Sequence, residues 1–224
     1  MVTKMGLEFK YVSVKLVQLI MAIHLRSVKI SDIDAVVKIH LRSFDGFLLA
    51  DLGESFLTAM YKSYVYQSNA AFFVAEDKSM IVGFAIGILP SMERFSVFGS
   101  YYKAVMMINL IMQIIAHPKL FGIRILRRMI AYRRHVIIKE GCAFLKSIAV
   151  LVSKNSNGIG SKLLEAFETK AWGMGADSIQ LTTDRHHNDR AIGFYKKNRY
   201  TIKLEFQQDR NRGMCLMEKQ SEKQ

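Results

Sequence analysis

A glycine-containing loop between two apolar runs constrains the fold more than any other feature of the chain. The loop has the sequence Asn-Ser-Asn-Gly-Ile-Gly-Ser at residues 155–161, and it joins a strand-like run at 144–152 to an amphipathic, helix-like run at 158–173. A glycine-rich turn that opens a helix leaves the first backbone N–H groups unpaired at the positive end of the helix dipole. Because such N–H groups bind phosphate, we expect a phosphorylated ligand at this loop.

The spacing of the glycines argues against two common phosphate-binding motifs. A nucleotide-triphosphate loop requires a Lys directly after its second glycine, but Lys162 follows Ser161 here. A dinucleotide fingerprint requires a third glycine where Leu163 stands, and an acid about 20 residues on, which Asp184 supplies only loosely. The first motif is therefore absent and the second is poorly matched.

The order of motifs around the loop is more specific than the loop itself. A strand-like run at 145–150 precedes the loop, a second one follows at 179–184, and an N-x-x-A-x-x-F-Y motif begins at Asn188. This order resembles the Gcn5-related N-acetyltransferase (GNAT) family over residues 23–219. The resemblance implies an α/β (α+β) fold with a mixed, mostly antiparallel sheet of six to seven strands, helices on both faces and an inserted helical hairpin.

Hydrophobic periodicity predicts the individual elements. Strand, helix and strand in succession at 144–183 imply a right-handed parallel crossover. We expect strands at 22–28, 71–75, 80–88, 144–150, 178–183, 200–206 and 213–218. We expect helices between 31 and 44, at 52–64, 101–116, 119–135 and 158–173, and from Asn188 onward.

The resemblance also implies the chemistry: acetyl-coenzyme A (acetyl-CoA) as co-substrate, no metal, and direct transfer of the acetyl group to a primary amine. In the family, the strand before the loop presents backbone groups to the thioester arm, and the loop holds the pyrophosphate. The residues that the resemblance assigns to the coenzyme are Ile148, Ala149, Val150, Asn155, Ser156, Asn157, Gly158, Ile159, Gly160, Ser161 and Asn188.

Two residues are candidates for proton transfer. Tyr195 matches the family tyrosine that protonates the leaving thiolate, and its alternative is a core aromatic residue beside Phe194. Asp184, at the end of the second strand, would take the amine's proton directly or through water, or would simply terminate the strand. Asn188 caps its helix or contacts the coenzyme arm. Adjacent histidines at 186–187 cannot both face one ion from a regular element, so we expect no metal site there.

Length and composition favour one domain. The chain has 224 residues, of which 50% are hydrophobic. We place a leader at 1–21, a single acetyltransferase domain at 22–219 and a polar tail at 220–224. The leader is either an artefact of start-site choice or an N-terminal strand or arm.

Cysteine content and hydropathy predict the compartment. Two cysteines, Cys142 and Cys215, are too few for a disulfide framework and favour a reducing cytoplasm. The longest apolar run, at 104–116, is too short to span a bilayer, so we expect no membrane crossing.

The positive charge of the chain is regional. The formal net charge is +13, and between Glu93 and Glu140 there are nine Lys or Arg residues and no acid. This stretch contains the predicted basic hairpin at about 99–139. Such a field attracts anionic ligands, acidic lipid surfaces or nucleic acid, the last being disfavoured because no recognition motif accompanies the charge.

The acceptor and the alternative function follow from these features. The basic hairpin favours a phosphate-bearing amine, and residues 40–64 resemble family members associated with bacterial surface-polysaccharide synthesis, which implies a nucleotide-linked amino sugar. A peptide or protein amine is the competing acceptor. The alternative function is a non-catalytic module that contacts an anionic membrane through the hairpin, suggested by Asn155 in place of the family's Gln or Arg. The sequence leaves the oligomeric state open.

Overall fold

The computed structural model describes residues 23–90, 97–118, 141–154, 158–209 and 212–222, and these contain one seven-stranded sheet. The strands are β1 (His24–Ser27), β2 (Ala70–Asp77), β3 (Met80–Ile88), β4 (Cys142–Val150), β5 (Ser178–Asp184), β6 (Thr201–Asp209) and β7 (Arg212–Gln220). The helices are α1 (Ile33–Ser43), α2 (Leu48–Asp51), α3 (Gly53–Val65), α4 (Val97–Ala116), α5 (Ile159–Gly173) and α6 (Asp189–Lys197).

The sheet has the mixed, mostly antiparallel topology that the family resemblance implies. Its spatial order is β1-β2-β3-β4-β5-β7-β6. Only β4 and β5 run parallel, and α5 connects them, so the predicted crossover is confirmed. The last two strands form an antiparallel hairpin whose second strand, β7, pairs with β5.

Helices cover both faces of the sheet because alternate strand residues are apolar on both sides. On one face, α1 and α3 pack against Phe72 and Phe84 of β2 and β3. On the other face, α5 and α6 pack against the sheet, with the fully buried Phe167 of α5 near the centre of the largest cluster. The aromatic residues of α6, Phe194 and Tyr195, belong to this second layer.

The two parallel strands separate after a short paired region. Residues Cys142–Leu145 of β4 pair with Ser178–Leu181 of β5. Beyond these positions the two strands, both fully described, are not paired with each other. β4 continues to Val150 along β3, while β5 continues to Asp184 along β7. A gap therefore opens in the sheet on the carboxyl side of the two strands.

The predicted insertion is described only in part. The first helix of the predicted hairpin is α4, which begins at Val97, before the predicted start at 101, and has 20 residues. Within the described residues it is the one helix long and apolar enough, by length and composition alone, to cross a membrane. The predicted second helix, the leader and the loop residues Asn155, Ser156 and Asn157 lie outside the described residues.

Candidate active site

A cavity of about 500 Å³ occupies the gap between β4 and β5. Its walls come from α1, the α1–α2 segment, both diverging strands, α6 and the β6–β7 hairpin. Polar residues line the side formed by β5 and β7, and aromatic and aliphatic residues line the side formed by α1 and α2. The carboxyl ends of diverging parallel strands are a common location for ligand sites in α/β folds.

At one end of this region, the start of α5 has the geometry of a phosphate site. Gly158 precedes the helix with φ of +68°, a left-handed conformation that side chains disfavour. The first backbone bond of the helix runs from Lys162 N–H to the Gly158 carbonyl, so the N–H groups of Ile159, Gly160 and Ser161 precede the helical ladder. The Ile159 side chain is fully buried, so only its backbone could meet a ligand.

Gly160 brings the start of α5 close to its neighbours. A Cβ at this position would lie 3.4 Å from the Phe194 ring of α6 and 3.9 Å from a Val150 methyl of β4. Three elements that carry predicted site residues therefore meet at this turn. The fit supports a pyrophosphate group held by backbone amides.

The predicted coenzyme strand, Ile148 to Val150, lies on the open part of β4. These residues pair with β3 on one side, and no described strand bonds to them on the other. Lys146 is an extra residue opposite the Ile86–Gly87 step of β3, which makes a bulge where the strands part. An exposed strand edge offers unpaired N–H and C=O groups to an extended ligand.

Lys146 lines the cavity from β4. Its ammonium lies 5.0 Å from the centre of the Phe144 ring. Desolvation by the surrounding protein lowers its pKa.

Tyr195 lines the cavity from α6 and is 9% exposed. Its ring meets those of Phe194 and Tyr200 edge-on, so its body belongs to the core. Burial raises the pKa of its hydroxyl above the usual range, so the group keeps its proton at physiological pH. The ring therefore belongs to the core, as one interpretation from the sequence holds, and the role of proton donor stays a prediction.

Asn188 occupies the N-cap position of α6 but does not cap it with its side chain. The side-chain amide instead donates to the Thr183 hydroxyl at 2.7 Å and to the Asp184 carbonyl at 3.0 Å. The capping prediction is therefore wrong for the side chain, because a residue in the loop after β5 also has the end of that strand within reach. Asn188 lines the cavity, where the predicted coenzyme contact stays a prediction.

Asp184 lines the cavity and forms a two-point ion pair with Arg212 of β7. Arg212 donates from Nε to one carboxylate oxygen at 2.5 Å and from Nη2 to the other at 3.1 Å. The guanidinium also lies 4.8 Å from the centre of the Phe47 ring. Both carboxylate oxygens already accept hydrogen bonds, which makes Asp184 less available as a base.

His40 is a cavity residue that the sequence analysis did not single out. It lies on α1, is 2% exposed, and its Nδ1 is 2.7 Å from the buried Tyr61 hydroxyl. Burial lowers the pKa of His40 to about 4, so it is neutral near pH 7. Its Nε2 has no hydrogen-bond partner, and the same is true of Oε1 of Gln208, another residue of the cavity wall.

The sequence contains a usable signal for His40 and none for Arg212. His40 follows Val36 by four residues and Val37 by three, which places it on the core side of a predicted helix. Arg212 lies in the predicted β6–β7 loop, and its pairing with Asp184 depends on the order of strands in the sheet. His186 and His187 form no metal cluster with other described residues.

Comparisons with known proteins agree with this geometry. The model of the acetyltransferase (GNAT) family matches residues 33–199. No curated protein matches the chain in sequence.

Several solved structures have the same fold. Ard1 from Thermoplasma volcanium is 19% identical with a TM-score of 0.56, covering 89% of this chain and 97% of its own. PaiA N-acetyltransferase from Thermoplasma acidophilum, solved with coenzyme A, is 15% identical with a TM-score of 0.53, and the match covers 90% of this chain and 100% of that one. Ribosomal-protein-alanine N-acetyltransferase from Brucella melitensis is 15% identical with a TM-score of 0.58, covering 88% and 99%. None of these matches bears on surface-polysaccharide synthesis.

Proposed function

Because the chain belongs to the acetyltransferase (GNAT) family and is an acetyl-CoA-dependent N-acetyltransferase, we propose that it acts by direct transfer to a small primary amine held between β4 and β5. The observation that carries this proposal is the open edge of β4 leading to the glycine turn of α5. An extended thioester arm fits along that edge, with its pyrophosphate at the helix start.

The described residues fit the coenzyme. The N–H groups of Ile159, Gly160 and Ser161 would bind the pyrophosphate, and the backbone of Ile148, Ala149 and Val150 would pair with the arm. Asn155, Ser156 and Asn157 remain proposed contacts from the sequence alone. Bound acetyl-CoA supplies the thioester, whose C–S bond breaks as the C–N bond of the product forms.

Tyr195 is the proposed acid for this reaction. Its buried hydroxyl donates a proton to the departing sulfur and afterwards recovers a proton from solvent. Its fixed packing against Tyr200 holds the ring in place. Positioning of this kind matters because proton transfer requires hydrogen-bond distance in the reacting complex.

Removal of the amine proton is the second requirement. Asp184 is the proposed base, acting directly or through a water molecule, and Arg212 fixes its orientation through the two-point pair. Because both carboxylate oxygens already accept hydrogen bonds from Arg212, a bridging water suits this geometry better than direct contact with the amine.

The proposed acceptor is a small amine rich in hydrogen-bonding groups, with a nucleotide-linked amino sugar as the leading candidate. The aromatic side chains of Phe44 and Phe47 offer a face for a ring. Nε2 of His40 on α1 and Oε1 of Gln208 on β6 have no partner in the cavity lining, and a small shift of either side chain would let it bond a hydroxyl or amide group of the acceptor. A peptide or protein amine is the second candidate, since two similar structures are named as ribosomal-protein alanine N-acetyltransferases.

Two measurements test the proposal. Calorimetry with acetyl-CoA should show binding that Gly158→Val weakens by at least about tenfold, because a β-branched residue cannot hold the left-handed turn. Gly175→Val is the matched control, since Gly175 also has positive φ and open space but lies beyond the other end of α5. Equal affinity in all three proteins would contradict the phosphate site.

Thiol release then identifies the acceptor. We expect turnover with glucosamine or a uridine diphosphate amino sugar, and less with cyclohexylamine, which has the ring and amine without hydroxyl groups. Turnover with an alanine-terminated peptide alone would exclude the sugar and support the second candidate.

A further inference from the structure

The helix α4 is predominantly apolar, yet it packs against the domain on only one side. Met106, Leu110 and Ile114 contact the cluster formed by Leu52 and Phe56 at the start of α3. The opposite side forms an exposed apolar face, whose large members are Val97, Tyr101, Met107, Ile108, Ile111, Met112 and Ile115.

This face is too large and too exposed to be an ordinary solvent-facing surface. Ile108, Met112 and Ile115 are 60%, 61% and 69% exposed. Only 6% of the apolar window of α4 is buried, whereas a long apolar helix in a globular domain is normally covered. Contiguous apolar patches of this kind mark interaction sites.

The packing of α4 indicates how it would meet a bilayer. One side of the helix is committed to α3, and the sheet strands before and after the insertion, β3 and β4, are neighbours. The helix is about 30 Å long, and its exposed side would meet the bilayer along its whole length. A helix with one side fixed to a domain and the other apolar fits an orientation in the plane of the interface.

Charge distinguishes an anionic lipid surface from a second copy of the chain. Lys103 is the only charged residue within α4, and the stretch from 94 to 139 contains nine cations and no acid. Two copies meeting through this face would bring like charges together, since each chain also carries a net charge of +13. Acidic headgroups would instead neutralise the cations while the acyl boundary covers the apolar side chains.

We propose that the exposed apolar face of α4 docks the protein on an anionic membrane surface. The acceptor cavity would then lie close to the membrane, because Leu48 packs in the cluster of Leu52 and Phe56 that α4 contacts and also lines the cavity. This docking is independent of the transfer chemistry. It requires only the α4 surface and the net positive charge of the chain.

Flotation of the full-length chain with vesicles tests the proposal. The protein should float with vesicles of phosphatidylglycerol and phosphatidylcholine, and not with phosphatidylcholine alone. Ile108→Glu and Met112→Glu should each lower the membrane partition coefficient by at least about tenfold. Met80→Glu is the control, because Met80 is 63% exposed at the β2–β3 turn, away from α4.

Three results would overturn the docking. The first is a wild-type protein that stays unbound with anionic vesicles. The second is equal binding by the wild type and both α4 variants, and the third is an equal loss in Met80→Glu. Analytical ultracentrifugation of the same proteins measures their oligomeric state. If the wild type is a dimer that does not bind vesicles, and Ile108→Glu is a monomer, the face belongs to a dimer interface instead. Unchanged acetyl-CoA affinity in the variants would show that they remain folded.

Discussion

Replacing Gly87 with alanine should destabilise the sheet beside the active site. An added Cβ would lie 2.5 Å from Cζ of the Phe167 ring and 2.6 Å from the carbonyl oxygen of Phe144. Phe167 is fully buried in the core between α5 and the sheet, and the Phe144 carbonyl belongs to a strand paired with β3. Neither atom can withdraw without disturbing its own element.

The size of the effect follows from two opposing contributions. Inserting a methyl group into a packed core costs about 1–3 kcal/mol, and simultaneous contact with a ring and a backbone atom places Gly87→Ala at the upper end. Reduced freedom of the unfolded chain offsets about 0.4–1 kcal/mol. The net loss should be about 2 kcal/mol, which lowers Tm by roughly 4–8 °C in a chain of this size.

Thermal unfolding and urea titration measure this loss. Gly173→Ala is the control, because Gly173 is helical and has no atom within 4 Å of its added Cβ. That variant should unfold at the wild-type temperature or above it, since alanine favours a helix more than glycine. If Gly87→Ala unfolds within about one degree of the wild type, the packing argument for the β3–α5 contact is wrong.

Three further predictions concern the cavity. Tyr195→Phe should lower kcat by about a hundredfold or more in thiol-release assays. Tyr200 is a buried neighbour that does not line the cavity, so Tyr200→Phe should leave kcat unchanged. An unchanged kcat in Tyr195→Phe would exclude the acid role. Arg212→Met should lower the free energy of unfolding in urea by about 1–2 kcal/mol, because it leaves the partly buried Asp184 carboxylate unpaired. The double variant Arg212→Met, Asp184→Asn should recover most of this loss. A base role for Asp184 requires that Asp184→Asn alone lowers kcat more than Arg212→Met does. Because the pKa of His40 falls from 6.5 to about 4 on folding, the unfolded chain binds more protons between these values. The free energy of unfolding should therefore drop by up to about 3 kcal/mol between pH 7 and pH 4, and His40→Asn should flatten this dependence; equal slopes would show that His40 is not the titrating group.

The central unit of the fold could be predicted because its signals are local. An apolar run, a glycine turn and an amphipathic run predict β4, the turn at Gly158 and α5, and the structure places them there. A glycine inside a strand run indicates a bulge or a close backbone approach, and Gly87 of β3 lies opposite a bulge and against the Phe167 ring. These features depend on neighbouring residues in sequence, so one chain is enough to predict them.

The chemistry of the acceptor side could not be predicted in the same way. Asp184 and Arg212 are 28 positions apart, and their pairing requires β7 to enter the sheet beside β5. The side chain of Asn188 could bond either the first N–H groups of α6 or the oxygens at the end of β5, and it bonds the latter. The local sequence does not distinguish these two sets of partners. Strand order, rather than composition, decides which polar groups share this wall.

The helix α5 connects the stability of the core to the chemistry of the site. Phe167 packs against the bare backbone of Gly87, and this contact sets how closely α5 approaches β3. The same helix begins at Gly158, where its first N–H groups form the proposed phosphate site beside the open edge of β4. A side chain at Gly87 would therefore act twice, by straining the core and by shifting the helix start relative to that edge. For this reason Gly87→Ala should weaken acetyl-CoA binding even at temperatures where the protein is fully folded, whereas Gly173→Ala should leave binding unchanged.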